Sequence, residues 1–328
     1  MKKNAHEELV QEKKKRQKTE EKLSSAKKNQ EKFYQMWRQT EREKERLLHL
    51  QMKNKTKSIS SSDSAVAVTK SFLEIPRELI HVNMDSDSKN LITLGEGKFG
   101  KVTLAYYREM PVAVKQFNEG VSQAEVEHEA NIISSFNHLN LPVLFGISCQ
   151  AKPFMLVLQF YGVGGKPLSL KDCFQSSSDL LTTSNWLNTV IHLCDALKHV
   201  HEKGILHNDI KADNIVMVKE ENIQMPYSPI LVDFGKSKHM SDVQKKNLSD
   251  TEKEIYRKRH FHIAPEVIDG SHTPSVKSDV YSIGLVFCKI YKLVKVKNLK
   301  DLCKRCIEPY NDRCTSNELR EMAERLSL

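Results

Sequence analysis

Three glycines, Gly95, Gly97 and Gly100, punctuate the run LGEGKFGKV (Leu94–Val102) between two strand-like segments. Residues without a Cβ let backbone amides close on phosphate oxygens, and an aromatic at the tip, Phe99, can cap such a site against water. The same run, with Glu96, Lys98 and Lys101 between the glycines, also fits a plain glycine-containing hairpin. The next strand-like stretch, PVAVKQ (Pro111–Gln116), sets Lys115 among apolar residues, where a buried amine needs a counter-charge or a bound anion. A helix-like segment just beyond offers Glu125, Glu127 and Glu129. A strand lysine paired with a helix glutamate can hold its amine against the phosphates of a nucleotide.

Further along come ILHNDIKADN (Ile205–Asn214), DFG (Asp233–Gly235) and APE (Ala264–Glu266). Asp209 is a carboxylate able to accept a hydroxyl proton, and Lys211 supplies a point charge two residues on. Asn214 and Asp233 bring hard oxygen donors of the kind Mg²⁺ prefers. In this order and spacing, together with GEGKFGKV and VAVK, the motifs resemble those of the eukaryotic protein kinases over about residues 89–328. The resemblance implies an α+β, bilobal protein-kinase fold, with a small β-rich lobe and a larger helical one. It also implies transfer of the γ-phosphate of ATP, with Mg²⁺ as cofactor, to protein hydroxyls. The alternative is a scaffold of kinase fold with weak or no catalysis.

Carried over residue by residue, the resemblance makes Asp209 the base, Lys211 and Lys115 the phosphate contacts, and Glu129 the partner of Lys115. Glu129 is preferred because it stands nine residues before His138 of an HxN motif, with Glu127 as the fallback. Asn214 and Asp233 become the metal ligands. Leu94 to Val102 cover the phosphates, while Val102, Ala113 and Val216 sandwich the adenine. Leu158 takes the gatekeeper position, with Gln159, Phe160 and Tyr161 offering backbone groups to the adenine edge. Ile133, Leu144, His207 and Phe234 form a column joining the lobes, Asp279 braces the catalytic loop, and Arg313 pairs with Glu266. Lys211, two residues after the base, favours serine or threonine as the acceptor.

There are three departures from the family's pattern. Asn208 stands where an arginine usually pairs with a phosphorylated activation segment, which argues against that switch. The stretch before APE, YRKRHFHI, has Arg259 where serine/threonine kinases carry threonine. Only 34 positions separate Asp279 from Arg313, shorter than usual by about one helix, the one after the long central helix of the large lobe.

Elements able to position these groups occupy only part of the 328 residues. Residues 1–57 carry 18 Lys and Arg against 9 Glu and no Asp, so the whole net charge of +9 sits there and the remainder balances at zero. A uniformly basic nucleic-acid-binding domain is thereby excluded, and no nucleic-acid partner is expected. Residues 1–52 lack Gly and Pro and are rich in helix formers, which predicts one long charged helix. Its best heptad register holds only Leu9, Leu23 and Trp37 as apolar residues, a poor coiled-coil seam. Phe33, Tyr34 and Trp37 concentrate apolar mass where self-association or a partner helix would dock; a merely solvated helix and a helix that binds acidic lipid or nucleic acid are the other readings.

Residues 53–88 read as a Ser-rich linker and lead-in whose end, FLEIPRELIHV, is apolar enough to pack on something. The kinase-like domain is expected from Lys89 to Leu328. The apolar stretch Tyr281–Ile290 is about half of what a membrane-spanning helix needs, and no apolar run follows the basic N-terminus. A cytoplasmic or nuclear protein is expected. Seven cysteines, an odd count without an export signal, predict reduced thiols.

Overall fold

The computed structural model describes residues 72–82, 91–98, 100–162, 166–176, 181–219, 227–245 and 247–326. The expected charged helix over 1–52, most of the linker and the loop-tip Phe99 lie outside these residues. Two lobes are built in chain order, the first a sheet with one helix.

Strands β1 (Ile80–Val82), β2 (Thr93–Gly97), β3 (Gly100–Tyr107) and β4 (Met110–Phe117) precede helix α1 (Gln123–Ser134), and β5 (Leu144–Ser148) and β6 (Met155–Gln159) follow it. The sheet runs β1-β3-β4-β6-β5, with β2 paired antiparallel to β3. Side chains alternate across a strand, so β4 turns Val112 and Val114, both at 0% exposure, into the lobe's core with Ile75, Phe145 and Val157. Ala113 and Lys115 are thereby left together on the opposite face. Register adds to that face, because Val102 lies opposite Lys115, and Leu158 opposite Ala113.

The sheet reaches upstream of the expected start at Lys89. β1 pairs with β3, the Ile75 N–H donates to the Ile147 carbonyl at 2.6 Å, and Ile75 is fully buried. Arg77 donates to the carbonyls of Ala151 and Pro153, at 2.8 and 2.5 Å. Burying Ile75 and Phe72 against β5 removes apolar surface that a free linker would leave in water.

The second lobe comprises α2 (Leu170–Gln175), α3 (Thr183–Glu202), β7 (Ile205–Leu206), β8 (Ile215–Lys219), β9 (Tyr227–Leu231), β10 (Lys238–His239), α4 (Asp250–Arg259), α5 (Pro265–Ile268), α6 (Val276–Val294), α7 (Lys297–Ile307) and α8 (Ser316–Glu324). Thr182 caps α3 through a reciprocal pair of bonds with Asn185. Trp186, Val190, Leu193, Leu197 and Val200, spaced four and three apart, make its buried stripe. Each such Val or Leu is worth on the order of 1.5–3 kcal/mol when fully buried, so a charge at Leu193 or Leu197 would undo the packing of α3 on the rest of the lobe. α6 follows the same rule through Ile283, Phe287 and Ile290. It ends at Lys295 in the left-handed region, and α7 begins two residues later. Between α6 and Arg313 stands α7 alone, in keeping with the short spacing seen in the sequence.

Candidate active site

The reciprocal cap of Ser122 and Glu125 starts α1, and one turn further Glu129 faces the sheet. Its carboxylate accepts two hydrogen bonds from Lys115 Nζ, at 2.8 and 2.9 Å. Lys115 Nζ also donates to Asp233 Oδ1 at 2.9 Å. Burial pushes the Lys115 amine down, but Glu129 and Asp233 together outweigh it and hold the pKa above the ordinary lysine value. Glu127, the fallback partner, is half-buried and accepts from Gln123 instead. Gly235 packs against this cluster. A Cβ there would come within 3.0 Å of Lys115 Nζ and 3.3 Å of Glu129 Oε2, so a larger residue would push the ion pair apart.

The glycine run is a β2–β3 hairpin in which Glu96 pairs with Lys101 and Gly97 with Gly100. Asn118 Nδ2 donates to the Lys98 carbonyl at 2.9 Å and ties the turn to the end of β4. Ideal Cβ atoms on Gly95 and Gly97 would meet nothing within 4 Å, so these glycines border open space, as a phosphate-covering loop requires. Ala113 and Val102 share the face that carries Lys115, and Val216 lies on β8 opposite Ile230. In the connection between lobes the Gln159 N–H donates to the Val143 carbonyl at 2.9 Å. The Tyr161 hydroxyl accepts from the Val143 N–H at 3.2 Å and donates to Gln159 Oε1 at 3.0 Å, which fixes this stretch.

In the larger lobe the loop between β7 and β8 is hung on α6. Asp279, 1% exposed, accepts the N–H groups of His207 and Asn208 at 2.7 and 2.9 Å, and His201 Nε2 at 3.1 Å. Asn208 has φ +63°, a left-handed conformation that asparagine tolerates better than most side chains. His207 donates from Nε2 to the Val232 carbonyl and accepts the Asp209 N–H at Nδ1, the pattern of a neutral imidazole; burial pushes its pKa down accordingly. Its ring lies 4.6 Å from that of Phe234, which is fully buried.

Asp209 is the most heavily bonded carboxylate of the site. Oδ2 accepts from Lys211 Nζ at 3.0 Å and Asn214 Nδ2 at 3.1 Å, and Oδ1 from Lys236 Nζ at 2.8 Å and His262 Nε2 at 3.1 Å. Burial pushes the carboxyl up, yet the bonds from His262, Lys236 and Lys211 outweigh it and hold Asp209 well below the usual carboxylate range. Asn214 spends its amide nitrogen on Asp209. Among the described residues nothing donates to Asn214 Oδ1 or Asp233 Oδ2, so two hard oxygens remain for a cation such as Mg²⁺.

Neither Lys236 nor His262 stands out in the sequence as a partner of Asp209. Lys236 directly follows DFG, and His262 stands two residues before APE, with its carbonyl held by the Ser282 hydroxyl at 2.6 Å. Phe136 is a third addition; its ring lies 4.7 Å from that of Phe234, which also meets the His207 ring and shares one buried cluster with Ile133. Between DFG and APE the chain forms α4, capped by a reciprocal bond pair of Ser249 and Glu252. The expected Glu266–Arg313 pair is bidentate, at 2.5 and 3.2 Å.

The sequence model for protein tyrosine and serine/threonine kinases matches residues 89–326. A probable serine/threonine-protein kinase of Dictyostelium discoideum is 26% identical over 246 residues, 74% of this chain and 37% of the relative. The Aurora kinase of Schizosaccharomyces pombe is 28% identical over 201 residues, 59% of this chain and 51% of the relative. A probable L-type lectin-domain containing receptor kinase, S.5, of Arabidopsis thaliana is 32% identical over 205 residues, 60% of this chain and 29% of the relative. The chain thus spans about half or less of the length of these relatives, and no helix among its described residues is long and apolar enough to cross a membrane. A family match over most of the chain and a lysine–glutamate pair set beside DFG carry the same conclusion: this chain belongs to the protein tyrosine and serine/threonine kinase family.

Proposed function

We propose that the chain is a protein kinase that transfers the γ-phosphate of Mg-ATP to serine and threonine hydroxyls of protein substrates. The observation that carries this reading is the Lys115 amine held between Glu129 and Asp233, in the same site as an ionised Asp209 with Lys211 and Asn214 on its other oxygen. Lys115 would orient the nucleotide phosphates, with Glu129 fixing its position, and the amides of Leu94–Val102 would cover them. Val102, Ala113 and Val216 would enclose the adenine, whose edge would meet Gln159 and Tyr161. Asn214 and Asp233 would hold Mg²⁺, which would supply positive charge to offset that of the phosphates. Asp209 would accept the hydroxyl proton as the substrate oxygen bonds to the γ-phosphorus and the bond to the β-phosphate oxygen breaks. Lys211 would neutralise charge on the transferring group.

The test is incubation of the purified chain with labelled ATP, Mg²⁺ and a general protein substrate, followed by identification of the phosphorylated amino acid. Phosphoserine or phosphothreonine is the expected product. Lys115→Met, which strips Glu129 and Asp233 of their shared cation, should cut the rate at least ~10²-fold. Label on tyrosine would overturn the acceptor assignment, and a Lys115→Met protein as fast as wild type would overturn the site. The kinase-fold scaffold is the second reading, favoured by the strongly depressed Asp209, whose low basicity weakens it as a proton acceptor. Nucleotide binding without any label transfer would select it.

Regulation should not depend on phosphorylation between DFG and APE. The segment already folds as the capped helix α4, and Asn208 presents no cation to a phosphate there. Phosphatase-treated protein should therefore retain its rate within about threefold. Changing Ser249, Thr251 and Tyr256 to Ala, Ala and Phe removes a cap worth about 1 kcal/mol to α4 but should leave turnover within about tenfold. A larger loss at unchanged Tm would assign a phosphate-pairing role to another residue, such as Arg257.

A further inference from the structure

All seven cysteines of the chain are free thiols, and two of them lie one turn from a close approach of two helices of the large lobe. α6 and α7 run antiparallel after a two-residue connection, and Gly284 opposes Cys306 there. A Cβ on Gly284 would lie 2.3 Å from Cys306 Cβ, so the backbones approach more closely than any side chain at 284 would permit. From that crossing, Cys288 is four residues on along α6 and Cys303 three residues back along α7, one turn each towards the connection. The antiparallel register therefore sets the two thiols opposite one another, with Cys288 packed against the buried cluster that contains Cys303. Cys288 is partly exposed whereas Cys303 is buried. None of the residues in the proposed phosphotransfer site takes part.

We propose that Cys288 and Cys303 form a peroxide-sensitive dithiol site, in which a hydroperoxide oxidises Cys288 and Cys303 resolves it to a disulfide joining α6 to α7. In the first step the Cys288 thiolate attacks the distal peroxide oxygen, the O–O bond breaks, and Cys288 becomes a sulfenic acid while the peroxide is reduced to an alcohol, or to water when it is hydrogen peroxide. In the second step Cys303 sulfur attacks the sulfenic sulfur. The S–S bond forms, and the sulfenic oxygen leaves as water with the Cys303 proton. One peroxide is consumed per two thiols oxidised. The environment suits the order of events. The Cys303 thiol, donating to Cys288, and the Lys292 ammonium one turn along α6 lower the Cys288 pKa to about 7, against its partial burial. Cys303, as the donor, is pushed up and keeps its proton until the sulfenic acid forms. Cys194, deeply buried and pushed well up, has no such advantage.

The full chain, reduced and then exposed to hydrogen peroxide, is quenched with iodoacetamide, digested with trypsin and mapped by mass spectrometry without reductant. The expected result is a cross-link between the peptides 278–289 and 301–304, reversed by dithiothreitol and absent from Cys288→Ser and Cys303→Ser. Cys288 should lose its reactivity to iodoacetamide on the order of tenfold faster than Cys149, Cys173 or Cys194. Circular dichroism before the quench verifies that the chain is still folded, and the wild-type map stands without either variant. The proposal is overturned by a Cys306–Cys314 cross-link in place of the expected one. Conversion of Cys288 to sulfinic acid with Cys303 still alkylated would overturn it equally, as would oxidation of the other thiols at the same rate as Cys288.

Discussion

Asp209→Asn should lower label transfer at least ~10²-fold while nucleotide affinity stays within about threefold of wild type. The substitution acts on four donors. Lys211 and Asn214 point at one carboxylate oxygen, and Lys236 and His262 at the other. An amide can accept at one position only, so its NH₂ group must face one pair of donors whichever way it is turned. It also cannot take up the hydroxyl proton. Lys115, Glu129 and Asp233 are untouched, which is why binding should survive while transfer fails. Initial rates with labelled ATP, beside a titration with a fluorescent nucleotide, separate the two quantities. An Asp209→Asn protein within threefold of the wild-type rate would remove Asp209 from the chemistry.

The second large effect falls on stability. Arg313 is 3% exposed and Glu266 7%, and the guanidinium makes a bidentate contact with the carboxylate, donates to the carbonyls of Lys277 and Glu308, and lies 4.9 Å over the Tyr281 ring. Arg313→Ala leaves a buried carboxylate without its cation, a change that costs about 3–5 kcal/mol in such settings. For a domain of this size that corresponds to a fall in Tm of roughly 6–20 °C. Pairing Arg313→Met with Glu266→Leu removes both charges together and should recover much of the loss, because the desolvation penalty disappears along with the attraction. Thermal melts of the three variants decide the matter. A shift below about 2 °C for Arg313→Ala would show the pair to be solvated in solution.

The fold was legible because its signals are local and ordered. Alternation in PVAVKQ puts Lys115 on the face away from Val112 and Val114, and the four-and-three spacing from Trp186 to Val200 builds the stripe of α3. Residue types in ordered motifs also brought Asp209, Lys211, Asn214 and Asp233 to attention, while the Glu266–Arg313 pair came from the family resemblance that those motifs carry. The choice between Glu127 and Glu129 was settled by packing: two positions along a helix turn a side chain by about 200°, enough to carry one glutamate to Lys115 and the other to Gln123. The sheet's extension to Ile75 and β1 depended on a long-range fit to β5 and β3 that no window of residues 72–82 contains.

The surroundings of Asp209 were least legible. Lys236 and His262 come from 27 and 53 positions downstream, and each is an ordinary polar residue until the chain folds back over β7. Sequence by itself determined which groups were available for phosphate, metal and proton, since those depend on residue type and short spacing. The charge each one carries was left to the tertiary structure, because it depends on burial and on partners brought from distant parts of the chain, as the depressed carboxyl of Asp209 and the cation of Lys115 both illustrate.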